Sequence, residues 1–336
     1  MSKRVTTSPP PRTVEYSPTA ARTHAFCEKK YYFGWLTKRK RTYLKPAGHP
    51  WRAVYDLKGV QNRHAWAGSL YHQVMARTLS RVRYGVYPNE AAARRLARDV
   101  AAAQFAFSRD RHFVGAIKSR VEAYDDISVF LALFEHTYGL PADGYLEETR
   151  DEVDRWLATT FAWGGWEPLL AEIRRAEAAY VEPRDLIYML GGARIRARMD
   201  LGIATRDDRF LLFDWKCYDD DDRFAAYDRE RAGHQLLAYA LWPIQPTTLA
   251  IPIERVVGHI FNPIAGECRE VRFTEAECAD FELEVGRWAR LQARIFDDVS
   301  DVDLDDLSGP YSPERSCPWC PFKGICGEGI AWHTLT

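Results

Sequence analysis

The sequence predicts an α/β domain with a mixed central sheet and a large helical insertion. Three observations predict it. Residues 89–180 read as mostly helical. Near residue 184 the pattern turns to the strand-like runs LIYML, ARIRARMDLGI and RFLLFDWKC, with the polar turn TRDDR between the last two. Helical periodicity then returns toward the C-terminus. Helices, then a sheet, then helices fit an α/β or α+β arrangement, with the insertion at about 75–182.

In chain order, the Pro-, Ser- and Thr-rich residues 1–14 read as a disordered tail ahead of a single domain over 15–336. Residues 18–36 read as a helix carrying Cys27, followed by the basic, aromatic stretch LTKRKRTYLK at 36–45. A helix around 66–80 holds His72. Asn89 suits the cap of the next helix, with Leu96, Val100, Ala103 and Phe107 on one face. After the strands, a helix is expected at 229–242 and a hairpin from 255–261 and 268–273. Thr274 and Glu277 form a capping-box pattern ahead of a long helix striped by Phe281, Val285, Trp288 and Ile295. The tail from 309 reads as a loop with three cysteines.

The 336 residues are 46% hydrophobic, enough for a core in one large domain or two smaller ones. With 46 basic and 47 acidic residues the net charge is −1, so nucleic acid has to be held by a local patch and not by the whole-molecule field. No apolar run is long enough to cross a bilayer, and the N-terminus lacks the apolar stretch of a signal peptide. These features read as a cytoplasmic chain without a membrane partner. Seven cysteines, an odd number, argue against a disulfide framework.

The stretch 194–216 carries the chemistry. Asp200 shares a strand face with Arg194, Arg196 and Arg198, while Ile195, Ala197 and Met199 take the other. Asp214 and Lys216 are two residues apart and share a face of the next strand. A hairpin symmetric about Asp207 sets Asp200 opposite Asp214. Facing carboxylates destabilise a bare sheet, and a hard divalent cation, Mg²⁺ or Mn²⁺, removes the conflict. Such an ion lowers the pKa of a bound water and stabilises charge building on a phosphate. Lys216 beside it can orient the water or offset developing charge. The pattern D-x-K alone is also what an ordinary surface trio looks like. His72 sits four residues after Gly68, and Gln235 and Tyr239 share a helix face after the D-x-K strand. Cys317, Cys320 and Cys326 form C-x2-C-x5-C, a spacing that signals bound metal, iron–sulfur or zinc. Cys217, Cys268 and Cys278 read as small packed residues.

Taken together and in order, GSLYH at 68–72, MD at 199–200, FDWK at 213–216 and QLLAY at 235–239 resemble the RecB-like branch of the PD-(D/E)XK nucleases. That branch includes the RecB and AddB nuclease domains, the CRISPR-associated RecB-like exonucleases and exonuclease V. The segment SPTAARTHAFCEKKYYF at 17–33 and the terminal cysteine loop extend the likeness, while the residues between His72 and Asp200 do not share it. The chain departs from the pattern in three places: Ala197 stands where the family often has Gly, Cys217 where Thr commonly follows the lysine, and the acidic run Asp219–Asp222, read as a solvated loop, comes next. The resemblance implies a restriction-endonuclease-like core with His72, Asp200 and Asp214 as metal ligands and Lys216 as the catalytic lysine. It gives Gln235 and Tyr239 supporting roles, and makes Cys27 the distant ligand, with Cys317, Cys320 and Cys326, of a [4Fe–4S] cluster joining the chain ends.

Lys38, Arg39, Lys40 and Arg41, with Tyr43 among them, suit phosphates and unpaired bases, and Arg196 and Arg198 suit a phosphate near the metal. The expected activity is Mg²⁺- or Mn²⁺-dependent hydrolysis of DNA, by the resemblance at single-stranded ends, with a helicase, CRISPR or repair component as the class of partner. The rival expectations are an inactive iron–sulfur DNA-binding module on the same fold and a zinc-stapled interaction protein.

Overall fold

The computed structural model describes residues 14–39, 50–183, 186–217, 232–296, 307–310 and 313–326, with side chains for all of these but 35–39, 50–51, 232–233 and 293–296. The expected tail at 1–14 lies outside this set except for Val14, as do Lys40, Arg41, Tyr43 and the acidic run from Asp219 to Asp222. Lys38 and Arg39 end a helix, but their side chains also fall outside the described set.

Strand β1 (Glu15–Tyr16) precedes α1 (Pro18–Phe26) and α2 (Glu28–Arg39). The single helix expected over 18–36 is therefore two, and Cys27 lies at their junction. Its backbone is extended, at φ −161 and ψ 108, with its N–H still donating to Thr23 O. The break serves a distant segment: Glu28 N donates to Ser308 O, and Ser308 N returns a bond to Glu28 Oε2 at 2.9 Å. Then come α3 (Pro50–Lys58), α4 (Arg63–Ser80) and α5 (Glu90–Arg109). Asn62 and Asn89 cap the last two by accepting from Ala65 N and Ala92 N.

The buried stripe of α5 is rotated from the expected one. It runs through Ala93, Ala97, Val100, Ala101, Gln104 and Ser108. Apolar periodicity misses it because two of its members are polar and satisfied inside. Gln104 accepts from Trp66 Nε1 at 2.7 Å and donates to Ser128 O at 2.9 Å, and Ser108 Oγ accepts from Leu133 N at 2.9 Å. Helices α6 (Tyr145–Ala162) and α7 (Trp166–Arg175) complete this layer.

The chain then enters the sheets through β2 (Ala178–Val181), β3 (Leu186–Leu190), β4 (Ala193–Ala197), β5 (Leu201–Ala204) and β6 (Phe210–Trp215). Thus the last residues of the stretch expected as a helical insertion, about 75–182, pair in a sheet. Helix α8 (Ala232–Ala240) connects to the hairpin of β7 (Val256–Asn262) and β8 (Glu267–Arg272), and α9 (Glu275–Phe296) follows. Thr274 and Glu277 form the expected capping box, with Thr274 N donating to Glu277 Oε2 at 2.9 Å and Glu277 N to Thr274 Oγ1 at 3.2 Å.

A five-stranded sheet has the order β8-β7-β6-β5-β2, and a three-stranded sheet has the order β1-β4-β3. The larger sheet is mixed: β6 runs parallel to β7 and antiparallel to β5. Every residue of β6 is buried. Leu211, Phe213 and Trp215 pack on the α4–α7 layer, and Phe210 and Leu212 pack against α8, α9 and the smaller sheet. The run ARIRARMDLGI alternates without interruption, yet it is two strands in two sheets, hinged at Arg198–Asp200. Along β4 the alternation is as expected: Ala193, Ile195 and Ala197 face inward, while Arg194 is exposed and Arg196 half-buried. The turn between β3 and β4 is Gly191-Gly192, at φ 55 and 81, a left-handed pair suited to a two-residue hairpin. Among the described residues no helix is long and apolar enough to cross a membrane.

Candidate active site

The hairpin of β5 and β6 pairs Leu201 with Phe213 and Ala204 with Phe210. Extended by one step, that register sets Asp200, just before β5, opposite Asp214, as symmetry about Asp207 requires. Asp200 is pinned from two sides. Trp215 N donates to its Oδ2 at 2.7 Å, and His72 Nδ1, from the middle of α4, lies 3.0 Å from its Oδ1. Tyr71, the neighbour of His72, anchors that helix through its hydroxyl to Thr160 Oγ1 at 2.8 Å. Burial favours the neutral acid, but the imidazole, Lys216 and the Trp215 N–H outweigh it and hold Asp200 below the usual carboxylate range. The same contact raises the pKa of His72 against the effect of burial.

Asp214 is 1% exposed. Burial pushes its carboxyl up to about 6 in spite of Lys216, and Asp200 adds to the rise. Lys216 Nζ lies 2.7 Å from Asp214 Oδ2, a buried ion pair. From α8, Gln235 accepts from Lys216 Nζ at 3.2 Å, and its Nε2 donates to Tyr239 OH at 2.5 Å and lies 3.4 Å from Asp214 Oδ1. The four-residue spacing of Gln235 and Tyr239 puts both on the helix face over the D-x-K strand. His72, Asp200, Asp214, Lys216, Gln235 and Tyr239 thus form one connected set.

The structure adds a residue that sequence reasoning misses. Glu182 follows the last residue of β2, and one of its carboxylate oxygens lies within 4.8 Å of a ligand atom of both His72 and Asp200. Its backbone is left-handed, at φ 35, and its N–H donates to Asp200 O at 2.8 Å. A non-glycine residue in that conformation is held there by its surroundings, and such outliers concentrate at functional sites. In sequence, V-E-P reads as a strand ending in a turn, and only the acid directly before Pro183 hints at more.

His72, Glu182 and Asp200 bring two carboxylates and one imidazole within 4.8 Å of one another, a set that suits a hard divalent cation, with Asp214 opposite Asp200 but outside that group. Arg196 and Arg198 line the groove beside it.

The cysteines divide into two groups. Cys217, Cys268 and Cys278 are half-buried and pack against the two cores. Cys27 is buried, Cys320 and Cys326 are half-buried, and Cys317 is exposed. A small third core joins the chain ends: Tyr31, Tyr32, Phe33 and Val54 with Phe322, the rings of Phe33 and Phe322 lying 5.0 Å apart. The loop is fixed further by Tyr138 OH, which donates to Pro321 O at 2.8 Å. Burial raises the pKa of Cys326, opposed by Lys29, and the thiols of Cys320, Cys27 and Cys317 raise it further, so the four are within electrostatic reach. No three of these sulfurs lie within 4.8 Å of one another.

With the fold and the carboxylate–lysine site in view, comparison with known proteins gives a class. The profile of the PD-(D/E)XK nuclease superfamily matches residues 15–327, and the chain belongs to that superfamily. Nucleases of this class depend on divalent metal, and the residues at this site fit one. Among solved structures, one described as "Crystal structure of SSO0001" is 17% identical, covering 58% of this chain and 78% of that one at a TM-score of 0.29. No curated protein matches the chain.

Proposed function

We propose that this chain is a Mg²⁺- or Mn²⁺-dependent deoxyribonuclease of the RecB-like branch, acting on single-stranded DNA ends. The observation that carries the reading is the gathering of His72 and Asp200 beside Asp214, Lys216 and Gln235, with the Trp215 N–H linking Asp200 to the D-x-K strand. His72, Asp200 and Asp214, with Glu182 alongside, would hold the ion. When bound, it supplies an acidified water and charge neutralisation at the phosphate. Asp200 keeps its charge because His72 and the Trp215 N–H favour the anion. Asp214, with its carboxyl pushed up to about 6, is mostly ionised at neutral pH, and a bound cation would keep it so at lower pH. Lys216, tethered by Gln235, has its ammonium positioned to donate to the attacking water or to a phosphate oxygen. Tyr239 fixes Gln235 from behind.

Action on ends, preference for single strands, a helicase, CRISPR or repair partner and a cytoplasmic setting rest on the RecB-like resemblance. The test is incubation of linear and circular DNA, single- and double-stranded, with Mg²⁺ or Mn²⁺. End-dependent loss of linear single strands supports the reading, and inert DNA in every case favours the inactive DNA-binding module.

The second part of the reading is a [4Fe–4S] cluster on Cys27, Cys317, Cys320 and Cys326. What supports it is the convergence of four thiols at the small core joining both chain ends. Bound there it would staple the ends, since phosphodiester hydrolysis has no redox step. Iron and sulfide in anaerobically purified protein support this part; stoichiometric zinc without iron contradicts it.

A further inference from the structure

A groove of about 350 Å³ opens beside the metal-binding residues, lined by Ser17, Thr19, Arg196, Arg198, Gln235 and Tyr239 together with Pro18 and Ala197. Three separate elements meet in it. The outward positions of β4 and the hinge after it supply the two guanidinium groups. The first turn of α1 supplies the hydroxyl of Thr19, while that of Ser17 already accepts from Ala20 N. Helix α8 supplies Gln235 and Tyr239, which also hold Lys216, so the groove and the reacting position share a wall.

The described lining carries guanidiniums, hydroxyls and an amide, with the Glu182 carboxylate within electrostatic reach of Arg198. Burial and the charge of Arg198 hold the Lys118 ammonium below its usual pKa, with Glu182 opposing them. A planar guanidinium grips a phosphate through paired hydrogen bonds, and two on alternate positions can engage a length of phosphodiester backbone at more than one point. The volume lies at the low end for ligand cavities and is of the order of one nucleotide unit.

We propose that this groove seats the nucleotide adjoining the scissile phosphate of a single strand, with Arg196 and Arg198 on its phosphate oxygens. The inference deepens the nuclease reading and rests on it. Its test reads binding and not cleavage, so the two can fail separately. Anisotropy of a short fluorescein-labelled oligothymidylate is followed across a KCl series without divalent metal. The Arg196→Gln/Arg198→Gln protein should bind at least about 10-fold more weakly, and the slope of log affinity against log salt should shrink by about 0.7 for each phosphate that is no longer neutralised. Thr19→Glu puts a carboxylate in the groove at a helix N-terminus, where it favours the fold, so it should weaken binding while the melting temperature holds. Arg194→Gln, on the same strand but outside the groove, should leave the slope alone. The proposal is overturned by an unchanged slope in the folded double variant, by an equal loss in Arg194→Gln, by tighter binding of a duplex of the same length, or by wild-type protein that does not bind the oligomer. DNA that binds in this pattern but is never cut would retain the groove and remove the nuclease reading.

Discussion

His72 Nδ1 and Asp200 Oδ1 meet at 3.0 Å although 128 residues separate them, so one contact fastens the helical layer to the hinge between the two sheets. The helix carrying His72 packs its opposite face, including Trp66, Leu70 and Val74, into the core, so the imidazole has little freedom to leave. Cation affinity should therefore depend on this helix as well as on the hairpin. His72→Ala should lower Mn²⁺ affinity by about 10- to 100-fold, on the scale of losing an orienting partner at a metal site, with the fold kept. Calorimetric titration with Mn²⁺ checks this.

The pKa of Asp214 sets a sign for pH effects. Its folded value, about 6, lies above the ordinary 3.8, so the folded chain keeps a proton that the unfolded chain has released. Between those values the stability of the metal-free protein falls as pH rises. Asp214→Asn should remove that slope and melt a few degrees above the metal-free wild type at neutral pH. Mn²⁺ affinity of the wild type should fall more than tenfold per pH unit below 6, because protons have to leave both Asp214 and His72, whose pKa is raised. Melting curves and Mn²⁺ titrations from pH 4 to 8 are the measurement, and equal pH slopes for wild type and Asp214→Asn between about 4 and 6 would contradict the assignment.

Glu182 separates two accounts of its left-handed backbone. If its carboxylate joins His72 and Asp200 around the ion, Glu182→Gln should cost about tenfold or more in Mn²⁺ affinity. Equal affinity in wild type and variant would leave Glu182 with a structural part only, holding Asp200 through its backbone N–H.

Much of the site is legible in the sequence because it is local. D-x-K places Asp214 and Lys216 on one face of any strand, and the residues between Asp200 and Asp214 are the right number for a hairpin about Asp207. The capping box at Thr274 and the cap at Asn89 are legible for the same reason. Less legible are features decided by tertiary contact. The break at Cys27 exists to receive Ser308, far along the chain. The split of ARIRARMDLGI between two sheets leaves no mark in an unbroken alternation. The stripe of α5 turns on Gln104 and Ser108, polar residues that are buried because partners from other elements satisfy them. Glu182 belongs to the site only because β2 pairs beside β5, which brings it to Asp200.

The chain-end closure makes its own prediction. Cys27→Ser should lower iron content, expose both ends to protease and weaken cleavage as a consequence of instability, because binding energy at such a site is folding energy. Limited proteolysis beside elemental analysis checks it. Full metal content with unchanged protease resistance would remove Cys27 from the ligand set.

The central claim is that Asp214 and Lys216, with Asp200 and His72, perform metal-dependent cleavage. Its most direct test is end-labelled single-stranded DNA incubated with Mn²⁺ and wild-type, Asp214→Ala or Lys216→Ala protein, each shown to be folded by its melting curve. The account predicts cleavage by the wild type and a drop of at least about 10³-fold in both variants, with Mn²⁺ binding abolished in the first and retained in the second. Cleavage by folded Asp214→Ala protein at the wild-type rate would contradict it.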